Sequence, residues 1–171
     1  MSIIGKQLFH IYGKNYCIVI LEVYNQNLYD SSEGTSFIGL LEENNGYWNL
    51  SKKINSNFGG RMGNPSKFEK ISLMGNKTLT VELSNYESAQ GTAYENRKIY
   101  ALINNEFIQV YEGLKHYDEC GVNNNCNSLD IEVKFLKINS DYYNLEIKEK
   151  KQGLKLKTKI LKFNENKMKY E

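Results

Sequence analysis

The chain has 171 residues, 40% of them hydrophobic and 25% charged, with a formal net charge of +2. That composition excludes a disordered segment and fits a folded protein with one core, and the near-balanced charge gives no electrostatic case for a nucleic-acid or membrane partner. The longest apolar stretch, Tyr16 to Tyr24, is interrupted by Glu22 and falls well short of the roughly 20 residues that span a bilayer.

Extended runs rich in Val, Ile, Tyr, Phe and Thr break repeatedly at short Asn/Gly/Asp clusters. Such runs suit a pleated, half-buried surface, and the breaking residues tolerate the positive φ that tight hairpin turns require. In chain order, Gln7–Tyr12 pairs with Tyr16–Tyr24 across Gly13-Lys14-Asn15. Ser36–Glu42 pairs with Tyr47–Ser51 across Asn45-Gly46, the strongest hairpin signal in the sequence. Lys70–Leu73 pairs with Thr78–Ser84, Tyr94–Ile103 with Glu106–Tyr111, Asp130–Ile138 with Tyr142–Lys148, and Lys155–Phe163 with Lys167–Tyr170. Asn85 to Asn96 reads least like a strand and is expected to hold a short helix or a long loop.

Period-two alternation supports antiparallel sheets with one buried and one wet face. Ile131, Val133 and Phe135 share a face opposite Glu132 and Lys134. Leu154, Leu156, Thr158 and Ile160 are expected to be the buried face of a strand whose lysines stand in water. No linker-like stretch and no fixed-period repeat divides the chain. The expectation is one all-β domain over residues 1–171, an antiparallel hairpin meander forming a sandwich or a partly closed barrel.

No catalytic motif stands out. His10 lies in an alternating run and reads as a structural histidine. His116 lies shortly before Cys120, but sequence nearness does not build a Cys–His nucleophile pair. The oxygen-rich stretch Asp118-Glu119 … Asn123-Asn124-Asn125 … Asp130 lacks the spacing of an EF-hand. The Gly-rich segment Asn57–Pro65 lacks the Lys-Ser/Thr ending of a phosphate loop. No cofactor, no metal and no enzymatic activity is therefore expected. Lys148, Lys150, Lys151, Lys155, Lys157 and Lys159 read as the wet side of an edge strand, with a site for an acidic partner as the alternative.

Cys120 and Cys126 flank a polar, flexible loop whose bending can bring them to disulfide distance, as in oxidising compartments. The alternative is three free thiols in a cytosolic protein; Cys17, inside an apolar run, reads as a buried free thiol in either case. The N-terminus lacks the zones of a signal peptide, which fits a cytosolic protein or a mature exported chain with a start Met.

One ordered set of motifs is more specific: Trp48-Asn49-Leu50, Asn57-Phe58-Gly59-Gly60-Arg61-Met62-Gly63, Gln90-Gly91-Thr92-Ala93-Tyr94, Tyr117-Asp118-Glu119-Cys120, Cys126, and a closing Phe163 and Tyr170. This order resembles a group of poorly characterised all-β proteins exported to the periplasm of Gram-negative bacteria. The likeness implies a periplasmic location and a small cystine loop, and no catalytic activity. The functional expectation is a non-enzymatic protein-binding module, in its concrete form an immunity protein that neutralises a secreted cell-wall-targeting bacterial toxin. Its candidate contact residues are Arg61, Tyr86, Gln90, Tyr94 and Arg97, since Tyr and Arg make strong interface anchors. The alternative is a carbohydrate- or peptidoglycan-binding protein stacking sugars on Tyr47, Trp48, Tyr142 and Tyr143.

Overall fold

The computed structural model describes residues 2–11, 13–23, 34–56, 58–59, 64–119, 127–151 and 154–171, and every element among them is a β-strand. Strands β1 (Ser2–Ile11), β2 (Lys14–Val23), β3 (Thr35–Asn44) and β4 (Tyr47–Ser56) form a four-stranded sheet in that order. Strands β5 (Lys67–Leu73), β6 (Leu79–Ala89), β7 (Thr92–Ile103), β8 (Glu106–Asp118), β9 (Ser128–Leu136), β10 (Asn144–Lys151) and β11 (Leu154–Leu161) form a seven-stranded sheet, again with neighbours in chain order. A short hairpin of β12 (Phe163–Asn164) and β13 (Lys169–Tyr170) ends the chain. All pairings are antiparallel. The protein is thus an all-β meander arranged as a sandwich, not closed into a barrel.

The tight turns follow the amide and glycine positions. Asn45 and Gly46 have φ of 53° and 80°, and Asn104 and Asn105 have 50° and 63°. Positive φ at both central residues matches the twist of the flanking strands. The first five expected hairpins form, but β11 pairs with β10, and the last hairpin is the short β12–β13 pair. The stretch Asn85–Asn96 is neither helix nor loop. It is the far end of the β6–β7 hairpin, paired through Ala89↔Thr92 and turned at Gln90-Gly91, with φ of 51° and 80°. Its sequence shows little apolar alternation because much of this end stands in water: Tyr86, Ser88, Ala89 and Tyr94 are exposed.

One hydrophobic cluster joins the two sheets, and a second lies within the seven-stranded sheet and the terminal hairpin. In the first, Ile18, Ile20, Ile38 and Leu40 on the inner face of the four-stranded sheet meet Leu79, Val81, Leu83 and Tyr100 of the seven-stranded sheet. Full burial of each aliphatic side chain here stabilises by about 1.5–3 kcal/mol. Gly5 permits this contact, because a Cβ there would lie 2.7 Å from the Phe68 ring. The second cluster lies on the opposite face of β7, where Ile99, Ala101 and Ile103 pack with Val133, Leu145, Leu161 and Tyr170. For β7 to share a core with β9, β10 and β11, the seven-stranded sheet must curl around that core. Bulges at Val110 and Lys115 of β8 support the curl, since an extra residue bends and twists its strand. Tyr143 N–H donates to Met74 C=O at 2.6 Å, tying the β9–β10 connection to the end of β5.

The alternation of β9 places Val133 in the core as expected, with Glu132 and Lys134 exposed. That of β11 does not. Leu154, Leu156, Thr158 and Ile160 are all exposed, with Leu154 at 73%. Leu161 is buried opposite Leu145, so the register puts Lys159 and Lys157 on the core face, opposite Ile147 and Glu149, and turns Ile160 outward. A one-residue shift exchanges the two faces of a strand. Here the anchor was Leu161, one position beyond the pattern. A further bulge at Leu156 bends this edge strand.

Candidate functional site: a charged groove where the seven-stranded sheet splits

Strands β8 and β9 pair only at His116↔Asp130, Tyr117↔Leu129 and Asp118↔Ser128. Beyond those three pairs they separate and leave an open groove of about 800 Å³. It lies on the face of β6 and β7 turned away from the four-stranded sheet. The face of β7 that sends Ile99 and Ala101 into the second core sends Arg97 and Glu95 into this groove.

Arg97 forms its floor. The guanidinium donates through Nη1 to Glu82 Oε1 at 3.1 Å and through Nη2 to the Ile131 carbonyl at 2.5 Å. The second bond occupies a backbone acceptor on the β9 edge that β8 has left unpaired. Both Arg97 and Glu82 are buried, and Lys70 Nζ stands 3.3 Å from the second Glu82 oxygen. Arg97 Nε is buried and has no hydrogen-bond partner among the described residues.

Two bulges build the wall. Glu69 is the extra residue of β5 between Phe68 and Lys70, and Lys115 is the extra residue of β8 between Leu114 and His116. Bulges re-aim side chains, and these two meet although β6 and β7 lie between their strands: Lys115 Nζ is 3.0 Å from Glu69 and 2.8 Å from Glu95. Ser84 Oγ lies 2.8 Å from Glu69 and 3.0 Å from Glu95, and its single proton bridges to one of them at a time. Burial pushes the Glu69 carboxyl up, but hydrogen bonds from Ser84, Lys115 and Lys67 outweigh it and hold the group down at about 2.

At the far wall, His116 Nδ1 lies 2.7 Å from Asp130 and Nε2 lies 3.9 Å from Asp118. Lys150 pairs with Glu132. Acids and bases thus neutralise one another around the groove. Among the described residues His116 bonds to Asp130, and the Glu69 carboxylate, held near 2, stays ionised at neutral pH. Among the described residues no group of three or more His, Cys, Asp or Glu could hold a metal ion.

The candidate contact residues separate on this frame. Tyr86 stands on the groove's own face, outside its lining but opposite Glu95 of that lining in the ladder, and is 60% exposed. Gln90 forms the hairpin tip. Tyr94 is exposed on the other face, with its ring centroid 5.3 Å from that of Tyr117. Arg97 does not stand at the surface as expected, because its charge is taken up inside by Glu82. Arg61, Cys120 and Cys126 lie outside the described residues, and the expected disulfide with them. Cys17 is a buried free thiol. His10 is exposed and bonded to Asn15 at 2.8 Å.

Lys148 and Lys150 are paired within the sheet, whereas Lys155, Lys157 and Lys159 are exposed along β11. The four aromatics of the carbohydrate alternative share no face. Tyr47 and Trp48 are adjacent on an edge strand, while Tyr142 packs on Phe163 at 4.5 Å beside the second core. Glu69 and Lys115 carried no signal in the sequence, since a bulge is not marked by residue type. No family model, curated protein or solved structure matches the chain.

Proposed function

We propose that the protein is a non-enzymatic protein-binding module that grips its partner with the rim of the charged groove and the exposed end of the β6–β7 hairpin. The observation that carries this reading is Tyr86, an exposed aromatic fixed on a strand beside a groove whose charges are already neutralised. Such a surface offers a stiff anchor that loses little entropy on binding, next to polar groups that fit a partner carrying both signs of charge. Tyr94 and Gln90 extend it along the hairpin.

In its fuller form the module is exported to the periplasm and acts as an immunity protein, blocking the cleft of a secreted toxin that attacks the cell wall. The test is titration of the purified protein into a toxin-like hydrolase encoded beside its gene. The reading predicts nanomolar binding with loss of hydrolase activity, weakened about thirtyfold or more by Tyr86→Ala with the fold retained. Failure to bind, or binding indifferent to Tyr86→Ala and Tyr94→Ala together, would sink it.

A further inference from the structure

We propose that the outer face of the four-stranded sheet is the contact between two copies of this chain. The proposal does not rest on the binding role above, because the groove lies on the far side of the other sheet. Strand β2 reads Cys17-Ile18-Val19-Ile20-Leu21 without a polar interruption. An antiparallel strand with one wet face alternates, and an unbroken apolar run is the pattern of a strand buried on both faces. Ile18 and Ile20 are covered by the first core, whereas Val19 and Leu21 point the other way, away from the seven-stranded sheet.

The cross-strand rows on that outer face are apolar over much of its width. One runs Leu8, Cys17, Leu41, Leu50, and another Ile3, Leu21, Phe37, ending at the polar Asn55 on the edge strand. Between them, Lys6 and Lys53 stand on the two edge strands with Val19 and Gly39 in the middle. These lysines stand at the margins, and the largely polar row His10, Asn15, Glu43, Trp48 closes one end of the face, which leaves an apolar centre with a polar rim. Ile3, Leu8 and Leu50 are 62%, 59% and 58% exposed, too much apolar surface to be scattered singles.

The dimensions select the occupant. Four ten-residue strands give a face of about 19 by 33 Å, from strand spacings of about 4.8 Å and rises of about 3.3 Å per residue. Stacking two such faces removes about 1,200 Å² in total, the lower end of stable interfaces. The occupant must follow the twist of the sheet, be about four strands wide and be nearly uncharged at its centre. The same face of a second copy meets all three conditions, and a twofold axis makes it self-complementary.

Sedimentation equilibrium of the full chain tests this. The expected mass is twice 19.8 kDa. L8E/L50E, two exposed positions, should return it to 19.8 kDa with an unchanged far-UV spectrum, raising the dissociation constant by about a hundredfold or more. L154E/L156E on β11 should leave the dimer intact. A wild-type chain that stays at 19.8 kDa up to about 0.1 mM overturns the proposal whatever the variants do. So does a dimer that survives L8E/L50E, or one that L154E/L156E breaks equally. A monomer that binds neutral phosphatidylcholine vesicles through Leu8 and Leu50 would assign the face to lipid instead.

Discussion

Strand β2 carries Val19 and Leu21 on the outside of its sheet, while β7 carries Arg97 and Glu95 on the inside of its own. One sheet leaves apolar side chains facing away from the core, and the other folds charge inward. The difference comes from geometry. The four-stranded sheet offers one broad face to the core and one to the outside. The seven-stranded sheet curls and then splits at β8–β9, and the split exposes backbone acceptors such as the Ile131 carbonyl that only a donor can satisfy. Arg97 supplies that donor, and Glu82 then compensates its charge. Alternation in a sequence gives the period of a strand; what lies against each face is decided by neighbours far along the chain.

The contrast can be broken from the charged side first. Arg97→Met strands Glu82 as a buried, poorly compensated carboxylate and should cost about 3–5 kcal/mol in urea unfolding. On the apolar side, Leu40→Ala opens a cavity in the first core and should cost about 2–5 kcal/mol, a loss of packing with no pH dependence. Gly5→Ala sharpens the interface between the sheets. Its new Cβ meets the Phe68 ring, and overpacking there should cost about 1–3 kcal/mol.

A pH titration separates the two regions again. The folded Glu69 carboxyl is held at about 2 against an ordinary 4.5. A depressed folded value means that its contribution is fully present above about 4.5 and is lost as pH falls through about 2. After allowance for partial exposure, the free energy from urea unfolding should fall by about 1–2 kcal/mol across that window, and Glu69→Gln should flatten it. The smallest effect is expected beside the groove, where Tyr86→Ala should change stability by less than about 0.5 kcal/mol.

Much of the fold was legible because its turns are written in residues that tolerate positive φ. Asn45-Gly46 and Asn104-Asn105 fall where the chain reverses, and the strands on either side of them pair as the pattern requires. Gln90-Gly91 turns in the same way, but its flanks lack alternation because Tyr86, Ser88, Ala89 and Tyr94 are exposed, so the hairpin read as irregular. In β11 the alternation was real, yet burial of Leu161 set its face the other way round. The candidate site was the least legible part. It depends on Glu69 and Lys115, each displaced by a one-residue bulge and brought to 3.0 Å across two intervening strands by the curl of the sheet. Tyr86 could be chosen for its residue type, whereas Arg97, chosen for the same reason, serves the interior.

The charge folded into the split sheet is tested most directly by pairing Arg97→Met with Glu82→Leu in equilibrium unfolding. The double variant should recover at least half of the loss seen in Arg97→Met, because an apolar pair can replace a buried ion pair at little cost, and what it does not recover belongs to the Ile131 carbonyl left without its donor. A double variant as unstable as Arg97→Met, or an Arg97→Met protein that loses less than about 1 kcal/mol, would contradict a buried and mutually dependent pair.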